Sequence, residues 1–303
     1  MVSGKIKNMT VILYYLNNEN VYFAGDTVSG RLILEVVGEV RVNSIKIIAT
    51  GYAKVRWSKA NISPVIFSYA NNYYKKVEYF NYKYVLIKDI NTRIIYPGIH
   101  EYGFSFELPS TLPASSFESK YGSVRYYIKA ELDRPLSLPM IVKKQLTVFE
   151  NIDINTPSLV LHQYDSVKKT VHHWICKSGT ISLSVNIGKK GYVPNEAIQI
   201  VAEIENYSSR TIIPIANLYQ IQTFHARGKI KKVKQLIISS RGKQLLPRNI
   251  EVWNNKYLKI PQVSPSILCC DIIHLEYMLV VYVDIPGATN LSLNFPIIIG
   301  TTS

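Results

Sequence analysis

His172, His173 and Cys176 form the one close grouping of metal-ligand residue types in the 303-residue sequence. A tetrahedral zinc site needs four ligands, and no second His/Cys pair stands near this one. Cys269 and Cys270 could join it only through the fold, so no metal site is expected. The two vicinal cysteines lie inside Ile267-Leu268-Cys269-Cys270-Asp271-Ile272-Ile273. They read as a strand with one thiol in the core, where free cysteine behaves as a small hydrophobe. Phosphate-binding glycine loops, the Gly-x-Ser-x-Gly elbow and His-Glu-x-x-His are absent. No catalytic, cofactor-binding or metal residue is therefore expected, and the chain reads as a binding protein rather than an enzyme.

Charge supplies the other chemistry. Residues Asn206 to Ile250 contain no Asp or Glu, yet carry Arg227, Lys229, Lys231, Lys232 and Lys234 in one short run. This run reads as a hairpin tip leading into a strand, and as a surface for an anionic partner or else a solvated face. The formal charge of +14 points the same way. Few aromatic residues stand there for base stacking, so nucleic acid is not the expected ligand. Asp133 and Arg134, after an alternating strand, make a candidate interlobe or structural pair, the alternative being an ordinary surface ion pair.

Strands must position these groups. Stretches such as Val28–Val36, Val42–Val55, Tyr82–Asp89, Ser123–Leu132, Pro214–His225 and Leu275–Ile285 are rich in Ile, Val and Tyr and are bounded by turn residues. Ile181, Leu183, Val185 and Ile187 alternate with polar neighbours at the period of a half-buried strand. Met9–Leu16 follows two lysines like a signal core, but Asn17-Asn18-Glu19-Asn20 comes next, and a strand is expected. Three cysteines make a poor disulfide framework and suit a reducing compartment.

The chain also repeats itself. Tyr22-Phe23-Ala24-Gly25-Asp26-Thr27-Val28 leads into Leu32, Leu34 and Glu35, and Tyr192-Val193-Pro194-Asn195-Glu196-Ala197-Ile198 leads into Ala202, Ile204 and Glu205. Two copies of one sandwich are expected over residues 6–150 and 158–300, joined near Asn151–Leu159, with Thr156-Pro157 as an extended break.

Several segments carry a family likeness, in order along nearly the whole chain. They are Val21-Tyr22-x-x-Gly25-Asp26-x-Val28-x-Gly30-Arg31, Gly51-x-Ala53-Lys54-Val55-x-Trp57, Tyr102-x-Phe104-x-Phe106-Glu107-Leu108-Pro109 and Lys129-Ala130-x-Leu132-Asp133-Arg134-Pro135. Arg241-Gly242, Pro265-Ser266-Ile267-Leu268, Glu276-Tyr277 and Pro296-x-x-Ile299-Gly300 follow. Together they resemble the α-arrestins, closest to the thioredoxin-interacting protein branch. The resemblance implies an all-β protein of two arrestin-type sandwich lobes in tandem. It implies a non-catalytic adaptor for membrane-protein cargo or acidic cytoplasmic tails, cytoplasmic and peripheral to the plasma membrane or endosomes, with the anionic membrane surface as a further partner. The alternative implied role is regulation of redox signalling by binding thioredoxin.

Two departures qualify the likeness. That branch uses a cysteine before a tryptophan to form a mixed disulfide with thioredoxin; the matching position here is Ile250, so non-covalent binding alone is expected. Family members also recruit HECT-type ligases through Pro-Pro-x-Tyr motifs, and none of the 14 prolines here adjoins another. A chain without that motif would act as a tail-less competitor of complete α-arrestins. Isolated WW domains should bind these residues poorly, since their groove reads a preformed polyproline II segment. Saturable micromolar binding in a titration would overturn this.

Overall fold

A computed structural model describes residues 4–15, 17, 20–61, 69–173 and 176–302. Its chain divides into two compact units. The first comprises Met1–Glu150 with His225–Lys229 and Cys269–Ile272, and the second Asn151–Phe224, Ile230–Leu268 and Ile273–Ser303.

The first unit contains β1 (Lys5–Tyr14), β2 (Val21–Phe23), β3 (Thr27–Val37), β4 (Val40–Asn61), β5 (Tyr69–Ile95), β6 (Gly98–Glu107), β7 (Phe117–Glu118), β8 (Gly122–Asp133) and β9 (Met140–Phe149). A three-stranded sheet runs β1-β3-β6, and a six-stranded sheet runs β2-β9-β8-β4-β5 with β7 beside β8. Alternation decides the faces. Val28, Leu32, Leu34 and Val36 of β3 are buried while their neighbours are not. Ile45, Ile47, Ala49, Ile128, Ala130 and Leu132 do the same for β4 and β8. Fully burying such a side chain contributes about 1.5–3 kcal/mol. Gly51 is register-paired with both Phe80 and Tyr126, and a Cβ there would come within 2.7 Å of either ring. Its absence lets the two rings stack across the strand at 6.0 Å.

The second unit is built from β10 (Gln163–His173), β11 (Cys176–Ile187), β12 (Gly191–Tyr192), β13 (Ala197–Asn206), β14 (Ile213–Ala226), β15 (Lys229–Arg241), β16 (Asn249–Lys259), β17 (Ile273–Asp284) and β18 (Leu291–Ile299). The tip of the β14–β15 hairpin belongs to the first unit. One sheet runs β10-β11-β13-β16 and the other β12-β18-β17-β14-β15. Leu183, Ile187, Ile198, Ile204, Leu279 and Val281 form the core between them. All strands and no helix are found among the described residues, and the chain is two arrestin-type β-sandwich lobes in tandem. Pro157 sits second in a turn closed by Leu159 N–H to the Thr156 carbonyl at 2.9 Å.

The repeat has an atomic form. Tyr22 on β2 and Tyr192 on β12 each lie on a short strand that runs parallel to the last long strand of its unit, β9 or β18. A turn follows each, with Gly25 at φ 86° or Asn195 at φ 70° in its third place. The acid that ends it turns back: Phe23 N–H donates to Asp26 Oδ2 at 2.7 Å, and Val193 N–H donates to Glu196 Oε2 at 3.0 Å.

Burial pushes the hydroxyls of Tyr22 and Tyr192 up to about 12, and those of Tyr79, Tyr126 and Tyr277 upward as well. A folded value above the unfolded one of about 10 means the contribution is whole below pH 10 and lost as pH rises through 12. Circular dichroism from pH 9 to 12.5 should show unfolding that begins above pH 10. Stability unchanged to pH 12 would contradict it.

Candidate partner-binding site

The expected basic run folds as expected in outline. Arg227 and Gly228 make a two-residue turn, at φ 49° and 69°, between β14 and β15. Both central residues are left-handed, as a hairpin that follows strand twist requires. The Arg227 guanidinium donates to the Asn72 carbonyl at 3.3 Å. β15 is the edge of its sheet, and the strand period divides its lysines. Lys232 and Lys234 share the Tyr219 side, with Lys234 Nζ 3.9 Å from that ring centroid. Lys229 and Lys231 point the other way. Lysines on an exposed edge also keep other strands from pairing there.

Asp133 ends β8 and accepts from the Asn43 amide at 3.5 Å, while Arg134 Nε is buried without a hydrogen-bond partner. The two side chains do not pair with each other among the described residues.

Cys269 and Cys270 require a correction. They lie in a loop between the Ile267 bridge and β17, not in a strand, because the chain bends at Cys269, Asp271 and Ile272 before pairing resumes. Cys269 is exposed and Cys270 buried. The Cys270 thiol stands 3.2 Å from the Tyr79 hydroxyl. Alkylation of the native protein should therefore modify Cys269 and spare Cys270, which reacts only on unfolding. Equal labelling rates, read by mass spectrometry, would refute this burial. The side chains of His172, His173 and Cys176 lie outside the described residues. No metal-binding group of three or more His, Cys, Asp or Glu occurs among the described ones.

A larger group of charges is one that no short run of sequence displays. It covers the outer face of the six-stranded sheet. Lys46, Lys54 and Arg56 of β4, Lys76 and Lys83 of β5, Arg125 and Lys129 of β8 and Lys143 of β9 lie there, against Glu78, Glu118 and Glu131. Register sets Lys54 directly opposite Lys76 and Lys129 directly opposite Lys143. Arg125 clamps Glu118 through two bonds of 2.5 and 2.9 Å, and Lys129 holds Glu131 at 2.8 Å. The Glu131 carboxyl is held below its usual range by Lys129, Lys46 and Lys83. Tyr52 and Tyr127 meet edge to face at 6.1 Å in the middle, under Lys76 at 4.6 Å and Lys143 at 5.5 Å. A cleft of about 480 Å³ opens between these rings, Arg125 and Gln145. The only signal for this face in the sequence is a cation at alternate positions in each of several strands. Recognising it needs the strand order.

In the second unit, a cleft of about 780 Å³ lies between residues 241–246 and β16, with Ile250, Val252 and Trp253 on its wall. β16 is a sheet edge, and Ile250 and Val252 are half-exposed. Lys256 Nζ stands 5.1 Å over the Trp253 ring.

Two sandwiches of this topology, each opened by the same tyrosine turn, define the arrestin class. Residues 11–155 match the arrestin (or S-antigen) N-terminal domain and residues 177–303 its C-terminal domain. The chain is 38% identical to mouse arrestin domain-containing protein 4 over 302 residues, covering 98% of this chain and 72% of that protein. It is 35% identical to human thioredoxin-interacting protein over 306 residues, covering 99% and 75% respectively. The chain belongs to the arrestin family, and within it to the α-arrestins.

Proposed function

We propose that this α-arrestin is a non-catalytic adaptor that seats an acidic cytoplasmic segment of a membrane-protein cargo on the outer face of its six-stranded sheet. It works from the cytoplasm, at the plasma membrane or endosomes, and influences where that cargo travels. The observation that supports this reading is the like-charge pairing of Lys54 with Lys76 and of Lys129 with Lys143. Like charges opposite one another destabilise a sheet by roughly 0.2–1 kcal/mol per pair. An anionic ligand lying across the strands would reverse that sign. The tyrosine pair offers its rings to the ligand's apolar side chains, and the lysines of β15 add a second basic edge.

Anisotropy of a labelled Glu/Asp-rich peptide tests the site. Changing Lys46, Lys83 and Lys143 together to Glu should weaken binding roughly tenfold or more at low salt. Changing Lys231, Lys232 and Lys234 to Glu should have a smaller effect. Unchanged affinity in the first variant, folded by circular dichroism, would remove the reading.

A second reading rests on Ile250. Relatives named thioredoxin-interacting protein are 34–35% identical to this chain, and β16 offers an exposed edge beside a cleft. Thioredoxin would bind there by surface contact alone, since Ile250 has no thiol. Non-reducing gels with thioredoxin lacking its resolving cysteine should show no adduct. A trapped adduct lost on Cys269→Ser would contradict this.

A further inference from the structure

The strand register of the first unit gathers three connections at one end. Val36 is paired with Gly98, Val40 with Ile95 and Ser44 with Asp133. The turns after β3, β5 and β8 therefore leave from the same end of the sandwich, those after β5 and β8 from strands on either side of β4 and that after β3 from the facing sheet. Such connections ordinarily carry Gly, Asn, Asp and Ser. Here the β8–β9 loop reads Arg134-Pro135-Leu136-Ser137-Leu138-Pro139. Leu136 is fully exposed and Leu138 is 89% exposed, while Tyr96 of the β5–β6 turn and Ile99 at the start of β6 are 61% and 70% exposed. Leu136 is held outward at φ 54°, a conformation that non-glycine residues seldom adopt. Single exposed apolar residues need no explanation, but two leucines presented by one short loop, at the same end as Tyr96 and Ile99, mark an interaction site.

Charge says what kind of site. Lys5, Arg41 and Arg93 are exposed at this end, and Arg134 follows β8 with its Nε buried. Among the residues whose side chains are described, Glu39 and Asp133 are the opposing carboxylates, Glu35 being held by Lys7 at 2.6 Å. Lys129 and Lys143 follow three ladder steps behind the Leu132–Met140 pair, roughly 10 Å back. Apolar groups that enter a bilayer interface reach roughly 5–10 Å deep, and cations near an anionic leaflet are attracted within a Debye length. The apolar side chains stand on protruding tips with positive charge set behind them. That arrangement matches a lipid surface better than a groove that would take a peptide.

We infer that this end of the first unit is a membrane-contact edge, in which Leu136 and Leu138 enter an anionic leaflet while the surrounding cations face lipid phosphates. The edge adjoins the cargo face, whose Lys129 and Lys143 stand behind it, but it rests on Leu136, Leu138, Arg41 and Arg93, which the cargo reading does not use.

Sedimentation of the full chain with phosphatidylcholine vesicles, with and without phosphatidylserine, tests the inference. Binding should require phosphatidylserine and should fall roughly tenfold or more in the Leu136→Ser/Leu138→Ser variant. Arg41→Glu/Arg93→Glu should reduce it as well. Both variants change exposed residues and should keep the native circular dichroism and the affinity for acidic peptide, so failure here is distinct from failure of the cargo site. A dye on Leu138→Cys, in a Cys269→Ser background, should shift to the blue on mixing with anionic vesicles. Wild-type sedimentation by the leucine variant, or an unshifted dye, would overturn the inference. So would vesicle-independent self-association that the leucine variant abolishes, since the edge would then be a protein contact.

Discussion

Replacing Asn206 by Asp should destabilise the second unit by about 3–5 kcal/mol, because one buried side chain makes the contacts of an entire junction. Asn206 is fully buried. Its amide nitrogen directs its two hydrogens to the carbonyls of Arg210, Leu246 and Leu245 at 2.8, 3.1 and 3.2 Å, one hydrogen being shared. Its oxygen accepts from the Ser208 hydroxyl at 2.7 Å and the Ser208 N–H at 3.1 Å. The residue thus ties the turn after β13 to the segment that walls the cleft beside β16. An ionised carboxylate would face three carbonyl oxygens without a proton to offer. The variant's own titration supplies a sign check. Burial raises the folded value of the new carboxyl above its unfolded one of about 4, so the loss is smallest below pH 4 and grows as pH rises past it. Urea unfolding at two pH values measures both effects, and a loss under about 1 kcal/mol at pH 7 would show that the junction rearranges freely. Burial also bears on Asn206-Tyr207-Ser208 as a glycosylation sequon, since the folded protein offers no access to this amide.

The second large effect is expected at Tyr126. Its ring is wholly buried, lies 6.0 Å from Phe80 and 6.2 Å from Tyr79, and its hydroxyl donates to the Ala114 carbonyl at 2.5 Å. Tyr126→Ala should cost about 3–5 kcal/mol through the cavity left behind. Tyr126→Phe should cost only about 1 kcal/mol, for one hydrogen bond. Denaturant midpoints for the pair separate ring packing from the bond. Equal losses in both variants would mean that the hydroxyl, not the ring, carries the position. Because Tyr126 neighbours Arg125 and Tyr127 on β8, the alanine variant should also loosen the cleft above it and weaken acidic-peptide binding.

Much of the architecture was legible in the residues. Alternation in β3, β8, β11 and β13 marked their buried faces, since a period of two leaves little freedom in register. The tyrosine turn could be read twice because each copy needs the same three things: a buried aromatic, a left-handed third position and an acid that caps the chain behind it. The hairpin tip at Arg227-Gly228 was equally plain. Other elements were not. The first half of β5, Tyr69–Asn81, holds tyrosines, Val77 and Phe80 but sets them among Asn71, Asn72, Lys75, Lys76 and Glu78 without a clean alternation; long pairing with β4 holds it extended. The apolar run around Cys269 and Cys270 looks like a strand yet bends, because burying Ile267, Cys270 and Ile272 there follows from tertiary packing and not from alternation.

The sequence alone determined that this chain is all-β and doubled, because strand period, turn chemistry and repeat spacing are local properties written in neighbouring residues; its ordered motifs carried the resemblance to the α-arrestins. Only the tertiary structure decided where its charge converges. The cations of the outer face are scattered from Lys46 to Lys143, and they become one surface only when register sets Lys54 against Lys76 and Lys129 against Lys143. The basic run most visible in the sequence is instead divided between two faces of an edge strand, because successive side chains on a strand point opposite ways.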